Sequence, residues 1–154
     1  MDDYNTDSMR ILEIGCGMAL SSLLLNKRLA NITATDYHPE VKTFLQRNVS
    51  LNNDREIDFE RFDWESNNDS LGLFDLIIGS DILYDNYHIE VLPKFIDAHS
   101  NPRCEVIIVD PGRGRKNKLG KKMQNFGYSL TVQKPTHTNY LDHDFNGHIL
   151  KFKR

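Results

Sequence analysis

Four short stretches of the sequence carry side chains whose types and spacing suit binding or chemistry at one site. Gly15 and Gly17 stand in Glu13-Ile-Gly-Cys-Gly-Met-Ala19, where an apolar run gives way to a leucine-rich segment. Glycines there let a backbone approach a ligand closely, and a helix opening just beyond them offers unpaired N–H groups. An ordinary tight turn from strand to helix uses the same residues. Asp36 follows about twenty residues on, the spacing at which a carboxylate can accept hydrogen bonds from both hydroxyls of a ribose. The plain alternative is an acid settled at a helix N-terminus. Asp63 beside Trp64 pairs an acceptor for an exocyclic amine with a ring able to cover a flat base, although packing alone also explains a tryptophan. Asp81 and Tyr84 set a carboxylate and a phenol three residues apart after another apolar run. Such an acid could accept the N–H of a reacting amine or stabilise its positive charge, while the phenol orients the amine or closes the site. Glycine turn and distal acid together point to a cofactor that contains a nucleoside.

Elements of alternating type are needed to hold these residues. Arg10–Ile14, Asn31–Asp36, Ile57–Phe62, Phe74–Gly79 and Glu105–Val109 read as strands, short and rich in apolar or β-branched residues. Between them, Leu20–Leu29, the segment after Pro39 with Val41, Phe44, Leu45 and Val49, and Lys116–Phe126 read as helices, the last stopped by Gly127. Pro93–His99 also reads as helical, with Pro93 near its start, since proline deeper in a helix costs about 3 kcal/mol. Tyr128–Gln133 and His148–Phe152 are the last strands, and the absence of a helix between them requires one to run antiparallel. Strand–helix alternation implies βαβ units and a mostly parallel sheet covered on both faces, an α/β fold. In such sheets ligands bind beyond the carboxyl ends of the strands, and all four stretches fall there.

Size and charge narrow the classes. A chain of 154 residues suits one domain, 1–154, with a substantial core and no room for a second. No apolar run approaches the ~20 residues a bilayer-spanning helix needs, and the acidic start Met-Asp-Asp-Tyr is unlike a signal peptide. Two cysteines, Cys16 and Cys104, make no disulfide framework, so the expectation is a cytoplasmic protein with reduced thiols. The net charge of −3 is unevenly spread: residues 113–122 carry six cations and no anion, and residues 54–85 hold ten carboxylates against Arg55 and Arg61. The basic stretch is the one feature favouring nucleic acid; a solvated helix face explains it as well. His137, His143 and His148 with Asp142 and Asp144 match no compact zinc spacing, and no metal is assigned.

The stretch Ile11-Leu-Glu-Ile-Gly-Cys-Gly-Met-Ala-Leu-Ser-Ser resembles the first motif of class I, seven-stranded S-adenosylmethionine-dependent methyltransferases, and Ser80-Asp-Ile-Leu-Tyr84 looks like the D-x-x-Y motif of their protein lysine methyltransferase branch. The resemblance runs from Arg10 to Lys153. It implies a Rossmann-like, doubly wound sheet of seven strands with an antiparallel last strand. It also implies that Gly15 and Gly17 contact the methionine and ribose of the cofactor and that Glu13 lies near its amino group. Asp36 would bind the ribose, Asp63 the adenine amine, and Trp64 or Tyr37 a ring face, with Ser80 also on the cofactor and Asp81 and Tyr84 lining the acceptor pocket. The family often has glycine where Ala19 stands, which sets Ala19 aside as a contact.

The expected activity is N-methylation of a protein side chain such as lysine. Methylation of a small amine or heterocycle is an alternative, and a non-catalytic cofactor- or partner-binding module is another. Enzymes that methylate the amino groups of bases often carry paired prolines where Ile82 and Leu83 stand, which speaks against a nucleic-acid acceptor. Related enzymes usually have helices before the first strand. Here that strand begins about ten residues in, so the expectation is an open site suited to a protein substrate, or one covered by a partner or second subunit.

Overall fold

The computed structural model describes residues 5–66 and 69–154. Seven strands form one sheet: β1 (Arg10–Ile14), β2 (Asn31–Asp36), β3 (Asp58–Arg61), β4 (Phe74–Ser80), β5 (Ser100–Asp110), β6 (Ser129–Gln133) and β7 (His148–Lys153). Their order is β3-β2-β1-β4-β5-β7-β6. The first five strands in chain order pair in parallel, and β7 runs antiparallel between β5 and β6. The chain reverses its direction of progress across the sheet between β1 and β4, which makes the gap at their carboxyl ends the expected ligand crevice.

Alternation along the buried strands feeds two cores. Leu12 and Ile14 of β1, Ile77 of β4 and Val106 and Ile108 of β5 pack with helices α3 (Asn86–Ala98) and α4 (Lys116–Gln124). Ile11, Leu76, Ile78 and Ile107 face the other way, with Leu25 of helix α1 (Leu20–Lys27). Helix α2 (Val41–Leu51) adds Val41, Leu45 and Val49, the period expected from the sequence, against Ala19 and Ala34.

One sequence expectation needs correction. Pro93 does not open a helix; it sits inside α3, which begins seven residues earlier. The start is set by Asp85, whose carboxylate accepts a hydrogen bond from the His88 N–H at 3.0 Å. The helix tolerates proline because Ile89, Leu92, Phe95 and Ile96 are all buried against the sheet. At about 1.5–3 kcal/mol for each large apolar side chain removed from water, that burial exceeds the proline penalty.

Candidate functional site

The loops at the carboxyl ends of β1, β2, β3 and β4 enclose one cavity of about 440 Å³. Its walls include Gly15 and Gly17 from the first loop, Asp36 and Tyr37 from the second, Phe62 to Glu65 from the third, and Ile82 and Tyr84 from the fourth, with Tyr87, His88 and Val91 from α3. Four stretches distant in sequence thus meet at the expected crevice.

The two glycines serve different ends. Both lie in the left-handed region, at φ +60° for Gly15 and +51° for Gly17. A Cβ at Gly15 would stand 2.8 Å from Ile82 Cγ2, so glycine there is required by packing beneath the cavity. A Cβ at Gly17 would meet nothing within 4 Å. The Gly17 N–H donates to Asp36 Oδ2 at 2.9 Å, and the His38 N–H donates to Oδ1 at 2.8 Å. Asp36 is thereby fixed in orientation while each oxygen keeps a lone pair for a further donor.

Tyr37 is held from outside by Arg61, whose Nε donates to the Tyr37 carbonyl at 2.9 Å and whose guanidinium lies 5.7 Å from the ring centre. Asp63 accepts from the Glu65 N–H through Oδ1 at 3.1 Å, which shapes the turn that presents Trp64. The Trp64 ring meets His88 edge-on at 5.1 Å, and His88 touches Tyr84 at 5.9 Å, so an aromatic wall runs across the cavity. A hydrogen bond to Glu65, followed by partial desolvation, pushes the Tyr87 phenol up to about 12 and keeps it protonated. A carboxylate fit for a diol, a second carboxylate and flat apolar walls together suit a nucleoside, and the volume is that of a small-molecule pocket.

Three residues expected at the cofactor or acceptor lie elsewhere than on these walls. Glu13 is 4% exposed, and its carboxylate accepts from the Ser22 N–H at 2.9 Å and from the Ser22 hydroxyl, tying α1 to β1 beneath the loop. Burial pushes its carboxyl above the ordinary range against the opposing pull of Ser22. Ser80 is exposed at the end of β4, away from the cavity lining. Asp81, with φ at +53°, is bound by Arg113 beside the cavity mouth, next to Tyr84. Sequence reading passed over Phe62, Glu65, Ile82, Tyr87, His88 and Val91. Of these, only Tyr87, His88 and Val91 carried a signal, continuing from Tyr84 at helical spacing.

The basic stretch is not an open strip of charge. Lys118 Nζ lies 3.3 Å from Asn86 Oδ1, Lys122 pairs with Glu90 at 2.6 Å, and Lys116 Nζ lies 3.1 Å from His148 Nε2. These contacts sew α4 to α3 and β7. Cys16 is buried in the turn, and burial raises its thiol well above its ordinary value, as expected of a packing residue. Among the described residues, no three metal-ligating side chains converge, and no helix is long and apolar enough to cross a membrane.

A sequence model of the family described as lysine methyltransferase matches residues 1–125. No curated protein matches the chain. Solved structures with the same fold include a methyltransferase from Pyrococcus furiosus, 22% identical, covering 99% of this chain and 78% of that one at a TM-score of 0.78. A SAM-dependent methyltransferase from Methanosarcina mazei is 14% identical over 99% of this chain and 95% of its own, at 0.80. Magnesium protoporphyrin IX methyltransferase from Synechocystis PCC 6803, solved with bound SAM, is 18% identical over 99% and 73%, at 0.77.

Proposed function

The chain belongs to the lysine methyltransferase family of S-adenosylmethionine-dependent enzymes, and from that premise we propose that it methylates a lysine side chain of a protein. The observation that carries the acceptor class is the mouth of the cavity. Tyr37, Tyr84 and Tyr87 stand around it with 65%, 54% and 50% of their surface exposed. Aromatic side chains left this open suit a macromolecular surface that covers them, whereas a small acceptor would be expected to find them already buried. A partner subunit over the same rim would leave the rest of this reading unchanged.

In this reading Asp36 holds the ribose hydroxyls and Asp63 the adenine amine, with Trp64 and Tyr37 against the ring faces. Gly17 leaves room for the ribose and methionine, while Gly15 and Glu13 act beneath them by fixing the loop. Ser80 serves only as backbone of the strand end. When bound, S-adenosylmethionine supplies a methyl group already activated on a sulfonium sulfur. This chain's residues then have to align an amine and see it neutral. A lysine ammonium, with an ordinary pKa of ~10.4, must first give up a proton, which passes to water at the open mouth. Asp81 draws the ammonium in, Tyr84 orients the nitrogen, and Trp64 with His88 keeps bulk water from the far side. The reduced state of two buried free thiols, Cys16 and Cys104, suits the cytoplasm as the place of work.

Two substitutions separate the halves of the site. Asp36→Ala should weaken S-adenosylhomocysteine binding, read by titration calorimetry, by roughly tenfold or more, because a hydrogen bond to a charged group is worth ~1.5–3 kcal/mol. Asp81→Ala should leave that affinity within about twofold and sharply reduce transfer of labelled methyl to lysate proteins. Equal loss of both in Asp81→Ala would make Asp81 a cofactor ligand. Label that migrates only with small solutes would defeat the protein-acceptor reading.

A further inference from the structure

Both carboxylate oxygens of Asp81 are engaged. Arg113 Nε donates to Oδ1, and Nη2 donates to Oδ2 at 2.9 Å. The same guanidinium lies over the Tyr84 ring, 4.8 Å from its centre. A carboxylate beside an aromatic face is what a protein uses to recognise an alkylammonium ion. Here the pair assigned above to the acceptor already holds a cation supplied by the chain itself. We propose that Arg113 is the resident occupant of the acceptor's cation subsite, and that an acceptor must displace it to reach Asp81 and Tyr84. This inference rests on the acceptor-side reading of those two residues.

The loop is built for such an exchange. Arg113 stands between Gly112, at φ +109°, and Gly114, at φ +78°, and nothing lies within 4 Å of where a Cβ of Gly114 would be. The Arg113 backbone is tethered, its N–H donating to Asp110 Oδ1 at 3.3 Å and its carbonyl accepting from Arg115 Nη1 at 3.4 Å, so the exchange is a swing of the side chain into the open space beside Gly114. The chain is anchored again just beyond, where Arg115 Nη1 donates to the Leu83 carbonyl at 3.2 Å. The movement is thereby confined to the Arg113 side chain.

The pair is also easy to open. Its side chains are 35% and 43% exposed, so this pair, though bidentate, is screened by salt and open to exchange with a cation arriving from solvent. Each Asp81 oxygen keeps a lone pair, but the guanidinium also covers the Tyr84 ring and would repel a second cation there, so arrival of an ammonium and departure of the guanidinium are linked. A protein arginine offered as acceptor would gain nothing over Arg113, because it presents the same planar fork. A lysine ammonium is compact and can approach Tyr84 while Arg113 is still leaving, a stage at which a second guanidinium is crowded out. Arg113 thus acts as a specificity-determining residue, one that raises the threshold for any cation and most of all for arginine.

The test uses n-butylammonium chloride, which carries the end of a lysine side chain, titrated into the full chain with S-adenosylhomocysteine present. Binding is followed through the amide resonance of Tyr84 and the indole resonance of Trp64. Removing the competitor in Arg113→Ala should tighten binding by roughly three- to tenfold, the factor expected of an exposed but bidentate pair. Arg113→Gln, which keeps a hydrogen-bonding side chain without the charge, should tighten it as well, and it serves if the alanine variant does not fold. Methylguanidinium should gain at least as much as butylammonium in both variants. An unchanged or weaker affinity in the two variants overturns the inference and makes Arg113 a residue that positions Asp81. In methyl transfer to lysate protein, KM should fall in Arg113→Gln with kcat held within about twofold; a fall in kcat alone also overturns it. Because the butylammonium titration needs no protein acceptor, its outcome is separate from whether lysate proteins are labelled at all.

Discussion

At the scale of single residues, backbone conformation separates roles that residue type leaves merged. Gly15 and Gly17 look equivalent in the sequence, yet only Gly17 has free space beside it. Gly17→Ala should cost about 1 kcal/mol of strain at its positive φ and reduce S-adenosylhomocysteine affinity several-fold, with Tm falling by only a few degrees. Gly15→Ala drives a methyl group into Ile82 and should lower Tm much further. A larger Tm loss in Gly17→Ala than in Gly15→Ala would reverse this assignment. Glu13 shows the same separation. Its carboxyl is held above the ordinary 4.5 by burial, so the folded chain binds that proton more tightly than the unfolded chain. The stability this gives is fully present below 4.5 and is lost as pH rises through the folded value. Glu13→Gln removes the titration, and its Tm should decline less steeply than the native chain's as pH climbs from 4.5 towards neutrality. Coincident slopes in the two Tm–pH curves would mean that Glu13 is not the group responsible. The glycines and Asp36 were legible because backbone freedom and charge are properties of residue type. The destination of Glu13 was not, because it depends on Ser22, which a helix brings beneath the loop.

At the scale of elements, the site depends on where strands stop and helices start. β4 ends under Ile82, which packs back over Gly79; a Cβ at Gly79 would lie 2.8 Å from Ile82 Cδ1 and 3.1 Å from Ile14 Cγ1. Gly79→Ala should therefore cost about 1–3 kcal/mol by overpacking, read from denaturant unfolding. It should also loosen the turn that carries Asp81 and Tyr84. An unfolding midpoint equal to that of the native chain would show that Ile82 gives way freely. The start of α3 was the least legible boundary. Local propensity placed the helix start at Pro93, whereas Asp85 and the burial of the helix's apolar face extend it back to Asn86. That extension brings Tyr87, His88 and Val91 into the cavity wall, so an error of seven residues in a helix start hid every lining residue that α3 contributes. Six strands were read to within one residue because short β-branched or apolar runs bounded by turn residues leave few other choices; β5 begins five residues before the expected Glu105, at Ser100, where Asn101-Pro-Arg gives no apolar run to mark it.

At the scale of the whole molecule, charge is arranged as two faces of one edge. Asp36, Asp63 and Glu65 line the cavity, while the cations of 113–122 are largely drawn into contacts with α3, β7 and Asp81. A cationic acceptor should be steered to this edge, so its KM should rise several-fold between about 50 and 300 mM salt as screening sets in. A KM that falls with salt would indicate an anionic acceptor. By itself the sequence determined the α/β class, the strand and helix order and the family, since hydrophobic period, glycine turns and short motifs are local quantities written residue by residue. It also determined which loops line the cavity, because parallel strands deliver their carboxyl ends to a common edge. The tertiary structure decided which side chains reach the cavity and which support it from below. It also decided that six clustered cations are mostly spent on neighbouring elements, and that Asp81 comes already paired with Arg113 from thirty-two residues away. Those outcomes depend on distances between segments remote in the chain, and only the closed sheet sets them.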